Sequence, residues 1–402
     1  MAELALEPAW PVEEGKQAGL YFYLEATEAY AGDTRFEVAD HGEMLMFGGY
    51  SYLSLNGHPA ITAAAMDAIA TYGTGTHGVR LLAGTLRVHR DLERRIAEFK
   101  GTEAAATFSS GYFANVSAIA ALMGRHDAVI CDRLDHASIV DGCMLSGATV
   151  ERYRHNDLDH LDWCLQRVAE AERRLVIVDG VFSMDGDIVD LPGVVETCRR
   201  HGATLMVDEA HSVGVLGETG HGIEEHFGMP ADTVDIKMGT LSKAIPSVGG
   251  YIAGSSKLIT FLQHQARGFI YSAALPPASA AAAMAALDVI EAEPERVQRL
   301  RDNRALMVSE LERLDIPVPD TGTPILPVMC GYNWPAWRLA NACHRRGIYI
   351  QAIPHPVVPK GKARLRLAVN AAHTPEEIVR CATVLREAAD EVGMFPLRDA
   401  VA

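Results

Sequence analysis

From about residue 100 to 255 the chain alternates short apolar runs with polar clusters and helix-like stretches. The runs are AAATF before Ser109, DAVIC before Asp132, LVIVDG before Val181, ATLMV before Asp208, DIKM before Gly239, and GGYIAG. Apolar runs of this length, separated by helical segments, predict the strands of a mostly parallel sheet. In such sheets ligands sit beyond the carboxyl ends of the strands. The polar residues just after each run are therefore the candidates for chemistry.

After about residue 290 the pattern changes. EPERVQRLRDNRALMVSELERL predicts a helix, followed by prolines and the short apolar PILPVMC. AWRLANACHRRGIYIQAI, ARLRLAV and the helix TPEEIVRCATVLREAADEV complete a smaller α/β unit. The expected organisation is an N-terminal helix and hairpin arm over 1–48, a large domain over 49–290 and a small C-terminal domain over 291–402.

Composition narrows the class. Of 402 residues, 49% are apolar and 22% charged, as in an ordinary soluble globular protein. The net charge of −16 gives a nucleic acid or an anionic membrane no general attraction. The seven cysteines include no C-x-x-C pair and are odd in number, which argues against a disulfide framework or a zinc site. A reducing, cytoplasmic setting is expected, with no metal. The string MAELALEPAWPVEEGKQ is acidic and broken by prolines, unlike a secretory signal. No apolar run is long enough to span a membrane. GTGTHG (73–78) matches the spacing of a dinucleotide fingerprint but follows a helical segment rather than a strand.

The richest string is LMVDEAHSVG, in which Asp208 ends a predicted strand and His211 follows three residues later. A strand-end carboxylate can be a simple turn former or helix cap. It gains a second reading because Lys243, in GTLSKAIPSVGG, follows another predicted strand. A carboxylate and an amine at neighbouring strand ends are what pyridoxal phosphate requires. The amine forms a Schiff base, and the carboxylate keeps the pyridine nitrogen protonated. A plain buried ion pair is the alternative.

FSSGYFANVSAIAAL supplies a strand, then Ser109, Ser110, Gly111 and Tyr112, then a helix, a turn that can hold a phosphate on backbone amides. Thr240 could add a hydroxyl. His136, after DAVICDRLD, and Ser183, in DGVFSMDG, are either structural turn residues or cofactor contacts. In KARLRLAV, Arg364 and Arg366 fall on one side of a strand. One of them could capture a substrate carboxylate in a bidentate pair, or both could be solvated arginines of an edge strand.

Taken in order, FSSGYFAN, DHASIVDG, RYRHND, DGVFSMDGD, VDEAHSVGVLGETGHG, GTLSKA with GGYIAG, and ARLRLAVNAAHTPEE resemble the α-oxoamine synthases over about residues 45 to 390. The resemblance implies a fold type I (aspartate aminotransferase-like) α/β enzyme that is a homodimer with active sites at the subunit interface. It implies pyridoxal 5′-phosphate as cofactor. The implied reaction condenses an α-amino acid with an acyl thioester, on coenzyme A or an acyl carrier protein, usually with decarboxylation, to an α-amino ketone. By the same resemblance Lys243 is the Schiff-base lysine and acid/base at Cα, and Asp208 pairs with the pyridinium nitrogen. His211 contacts the phenolic oxygen, and His136 stacks on the ring with Ser183 nearby. Ser110, Gly111, Tyr112 and Thr240 bind the phosphate, and Arg366 the amino-acid carboxylate.

The chain departs from the family pattern around the substrate. Tyr50 stands where the family has an asparagine that contacts the carboxylate. Ile245 and Pro246 follow the lysine in place of an aromatic or leucine plus glycine. Ala273 and Ala274 replace the hydroxyl residues lent to the neighbouring subunit's phosphate, and Pro354 replaces an arginine of the biotin and sphingolipid branches. GVRLLAGT, PVVPKG and AAHTPE look like the glycine C-acetyltransferase branch, which Tyr50 argues against. That branch, and a fold type I aminotransferase or decarboxylase, are the alternatives to a specialised synthase. Retention of Lys243, Asp208 and His211 argues against a non-catalytic partner subunit.

Overall fold

The computed structural model describes residues 10–30, 32–39 and 41–395. The first nine residues of the acidic N-terminal string lie outside the described ones. Strands are numbered along the chain: β1 Thr27–Tyr30, β2 Arg35–Val38, β3 Gly42–Met46, β4 Ala104–Phe108, β5 Ala128–Asp132, β6 Thr149–Tyr153 and β7 Arg174–Asp179. They continue as β8 Thr204–Asp208, β9 Ile236–Thr240, β10 Gly250–Gly254, β11 Ile325–Gly331, β12 Ile348–Tyr349, β13 Gln351–Ile353 and β14 Ala363–Ala368. Contacts divide the chain into two compact units.

The larger unit, 55–183 with 187–298, is built on one seven-stranded sheet in the order β4-β10-β9-β8-β7-β5-β6. The pairs β9–β8, β8–β7, β7–β5 and β5–β6 are parallel. Every residue of β5, β9 and β10 is buried, which is why these strands read as largely apolar runs; Lys237 of β9 is an exception, buried in an ion pair with Glu224. β10 alone runs against its neighbours, pairing antiparallel with both β4 and β9. The reversal follows from its connection. Residues 241–249 return directly from β9, whereas a parallel neighbour would need a helical crossover. This short return carries Lys243. β6 is the one strand absent from the apolar runs of the sequence. It lies at the sheet edge, and only Tyr153 in it is fully buried.

The helix Gly111–Leu122 packs its Ala114, Ala118 and Ile119 into the core over β10, β9 and β4. Its start is pressed onto β10. A Cβ on Gly250 would lie 2.6 Å from the Gly111 Cα, so a glycine is required there.

The other unit joins the described residues within 10–54, 184–186 and 299–395. Within it β3 pairs in parallel with β12, and the sheet runs β1-β2-β3-β12. A second sheet runs β11-β14-β13, antiparallel throughout, with β14 in the centre. The helix Pro375–Glu391 starts at a capping box. Thr374 Oγ1 accepts from the Glu377 amide, and Glu377 Oε2 accepts from the Thr374 amide. All seven cysteines of the chain are buried free thiols.

Candidate active site

In the larger unit the polar residues that follow β4, β5, β7, β8 and β9 come to one end of the sheet. After β4, Ser110 caps the helix Gly111–Leu122 by accepting the Phe113 amide at 3.1 Å. The first amides of a helix have no intrahelical acceptor and favour an anion. Thr240, at the end of β9, faces this turn: a Cβ on Gly111 would come within 3.0 Å of the Thr240 Oγ1. The turn and the hydroxyl thus form a cradle that a larger residue at 111 would fill. Tyr112 is half-exposed and hydrogen-bonds through its hydroxyl to Asp141, which pushes the phenol's pKa up.

Asp208 ends β8 and is buried. A buried carboxylate needs donors, and it has two. The Ala210 amide reaches Oδ1 at 2.8 Å, and Asn115 Nδ2 reaches Oδ2 at 2.7 Å. His211 is buried three residues further on. His136 caps the helix Ala137–Ser146, with Nδ1 accepting from the Ser138 amide at 3.3 Å. Its own amide donates to Asp179 Oδ2 at 3.0 Å, and Tyr112 meets its ring edge-on at 6.2 Å. Although His136 is exposed, protein crowding around its ring holds the pKa below the ordinary histidine value. Asp208 and Asp141 oppose that shift and Lys243 reinforces it, so all three lie within electrostatic reach of the ring. Asp179 is fully buried, and burial together with the Asp208 charge raises its pKa well above the carboxylate range. Ser183 is half-buried beyond β7.

Lys243, Asp208, His211, His136, Thr240, Ser110, Gly111 and Tyr112 thus stand at the same sheet end, as the strand-end reading expects. These residues fit pyridoxal phosphate in kind: an amine, a doubly hydrogen-bonded carboxylate and a small-residue anion cradle. Sequence reasoning missed Asn115, Ser138 and Asp179. For Asn115 a signal existed, since an asparagine in the apolar stretch YFANVSAIAAL with no exposed surface has to be hydrogen-bonded inside.

In the other unit, Arg366 and Arg364 are both buried on the central strand β14. The reading of two solvated edge arginines is therefore excluded. Arg364 is committed to Asp185 Oδ1 at 2.6 Å and the Met184 carbonyl at 3.0 Å. Arg366 Nη2 donates to the Tyr52 hydroxyl at 3.0 Å and Nη1 to the Gly49 carbonyl at 3.4 Å. Tyr52, which the sequence reading passed over, is wholly buried, and burial raises its pKa while Arg366 pulls it back. Tyr50 is 50% exposed and close enough to Tyr52 to raise that hydroxyl further. Of the other departures, Ile245 is buried and Ala273 exposed, Ala273 bridging to Val79.

Fold and site together define a pyridoxal 5′-phosphate enzyme of fold type I. The model of the aminotransferase class I and II family matches residues 43–385. The 8-amino-7-oxononanoate synthase of Symbiobacterium thermophilum is 42% identical over 381 residues, covering 94% of this chain and 96% of its own. The serine palmitoyltransferase of Sphingobacterium spiritivorum is 40% identical over 367 residues, 91% of either chain. A serine palmitoyltransferase structure holding pyridoxal phosphate superposes with a TM-score of 0.92 at 31% identity, covering 95% of this chain and 96% of its own. That of Sphingomonas wittichii gives 0.91 at 31%, covering 96% and 98%. The chain belongs to the aminotransferase class I and II family, in its α-oxoamine synthase branch, whose reaction joins an α-amino acid to an acyl thioester.

Proposed function

We propose that this protein condenses an α-amino acid with an acyl thioester through Lys243, and that the product is an α-amino ketone. The observation that supports this most is the juxtaposition at one sheet end. Lys243 lies on the direct return from β9, at the same sheet end as Asp208 with its two hydrogen-bond donors and the Gly111–Thr240 cradle.

When bound, pyridoxal phosphate supplies an electron sink for the pair left at Cα. The chain's own residues do the rest. Ser110, Gly111, Tyr112 and Thr240 hold the phosphate. Asp208, as an anion, keeps the proton on the pyridine nitrogen, His211 contacts the phenolic oxygen, and His136 stacks on the ring with Ser183 nearby. Lys243 tethers the cofactor, then takes and returns the proton at the amino acid's Cα. Arg366, whose position Tyr52 sets, binds the substrate carboxylate as a fork. His136 donates to the thioester carbonyl oxygen as charge builds there.

A homodimer with interfacial sites is part of this reading. Leu81, Leu82 and Tyr271 are large apolar residues exposed on either side of the Val79–Ala273 bridge, a surface suited to a second copy of the chain. Among the described residues no helix is long and apolar enough to cross a membrane, and the strongly acidic chain suits a cytoplasmic enzyme. The thioester is carried by coenzyme A or an acyl carrier protein.

The test is incubation of the holoenzyme with each common amino acid and acyl thioesters of graded chain length. The expected result is thiol release together with a new ketone. Release of a keto acid alone would assign an aminotransferase instead. A response to glycine and acetyl-CoA alone would make the Tyr50 departure silent and assign a glycine C-acetyltransferase.

A further inference from the structure

We infer that Asn115 and Ser138 are positioning residues for the reaction: a single amide group orients Asp208 and, through the Ser138 hydroxyl, sets the tautomer of His136. The inference rests on the placement of Asp208 and His136 at the cofactor given above.

Asn115 sits one turn into the helix Gly111–Leu122 and has no exposed surface; nor has Ser138. Asn115 Nδ2 lies 2.7 Å from Asp208 Oδ2 and 2.9 Å from Ser138 Oγ. The direction of the amide is decided by charge. An ionised carboxylate only accepts, so the NH2 end faces Asp208 and its second hydrogen goes to Ser138 Oγ. That hydroxyl, accepting from Asn115, has its own hydrogen free for His136 Nδ1, 2.7 Å away. The Ser138 amide points at the same nitrogen from 3.3 Å. With two donors aimed at it, Nδ1 is the acceptor nitrogen, and the neutral ring carries its proton on Nε2. Nε2–H is then the group available to a substrate oxygen.

Packing alone does not account for an asparagine here. Its Oδ1 is buried without a hydrogen-bond partner, a cost that a leucine of similar shape would not incur. The titratable groups that face His136 are Asp208 at the end of β8, Lys243 beyond β9, Asp141 on its own helix and Asp179 at the end of β7. Asp208 is thus within electrostatic reach of the ring as well as linked to it through Asn115 and Ser138. Losing its orientation would disturb both the pyridine nitrogen and the acid that serves the acyl substrate.

The experiment titrates the apo forms of the wild type, Asn115→Asp, Asn115→Leu and Ser138→Ala with pyridoxal phosphate, reading visible absorbance from about pH 5.5 to 8.5. The kcat/KM profile of each holoenzyme accompanies it. Asn115→Asp sets two carboxylates against each other, so its cofactor affinity should fall about tenfold or more at the alkaline end. It should recover as the pH drops and the introduced carboxyl regains a proton to donate. Asn115→Leu should bind weakly at every pH. Ser138→Ala should keep the wild-type cofactor affinity, with the acid limb of kcat/KM moved up by about one pH unit, because the neutral ring has lost a donor. Wild-type affinity in Asn115→Leu, or an Asn115→Asp deficit indifferent to pH, overturns the role of Asn115. An unmoved acid limb in Ser138→Ala overturns the tautomer assignment, and that measurement decides the matter if the Asn115 variants do not fold. A wild type that takes up no pyridoxal phosphate would instead remove the underlying placement of the cofactor.

Discussion

Arg364 donates to Asp185 at 2.6 Å, while Arg366, on the same face of β14, donates to the Tyr52 hydroxyl at 3.0 Å. Two arginines that look alike in sequence have therefore been given different duties. Arg364 Nη1 also serves the Met184 carbonyl and its Nε the Lys362 carbonyl, so both are engaged by the protein itself. Arg364→Ala should cost about 2 kcal/mol of stability, less than a fully buried pair because Asp185 is partly solvated. Arg366→Lys keeps the charge but loses the fork, and should raise the KM for the amino acid about tenfold while shifting the melting temperature little. Thermal melts and steady-state kinetics on the two variants separate these outcomes.

Lys243→Ala should abolish the visible absorbance of the lysine-bound cofactor and lower kcat by about a thousandfold or more. The lysine is half-buried on the return from β9, so the variant should fold. An unchanged visible spectrum would refute the assignment of Lys243.

Behind Asp208 lies a buried ionic cluster. Lys100 Nζ is 2.7 Å from Glu209 Oε1, and both side chains are almost wholly buried. Lys237 pairs with Glu224 and donates to the Lys100 carbonyl at 2.9 Å. Lys100→Met leaves the Glu209 charge without its cation and should destabilise the chain by about 3 kcal/mol or more. Adding Glu209→Leu to that variant should recover part of the loss. Denaturant midpoints of the two single variants and the double variant measure the coupling.

His155 spans two carboxylates, Asp132 at 3.1 Å and Asp187 at 2.8 Å. Burial alone would lower its pKa, but the two hydrogen bonds prevail and push it up to about 10. The free value is about 6.5, so the folded state holds the proton more tightly than the unfolded chain. The stabilisation is complete below about pH 6.5 and fades as the pH climbs towards 10. Wild-type stability should decline across that alkaline window by more than the stability of His155→Gln does. Parallel melting curves at pH 6, 8 and 10 provide the comparison.

Much of the larger unit could be read from the chain directly. A strand buried on both faces is apolar along most of its length, any charge in it being paired as Lys237 is, and its end turns polar where the backbone meets solvent. Asp208, His211, His136 and Lys243 were visible as residues just beyond such runs. β6 escaped because an edge strand needs to bury only part of itself, and TVERY carries the mixed pattern of an edge. The reversal of β10 escaped because an apolar run is the same read in either direction.

What the sequence determined by itself was the class of sheet, the family, the cofactor and the strand-end positions of the polar residues proposed to bear the chemistry. These depend on side-chain type and on spacing along one segment. The tertiary structure decided which distant groups meet. It committed Arg364 to Asp185 and put Tyr52, rather than Tyr50, against Arg366. It also set Asn115 between Asp208 and Ser138. Each of those choices joins residues far apart in the chain. A buried polar group takes whichever partner the packing brings within hydrogen-bond distance, and local sequence carries no record of that distance.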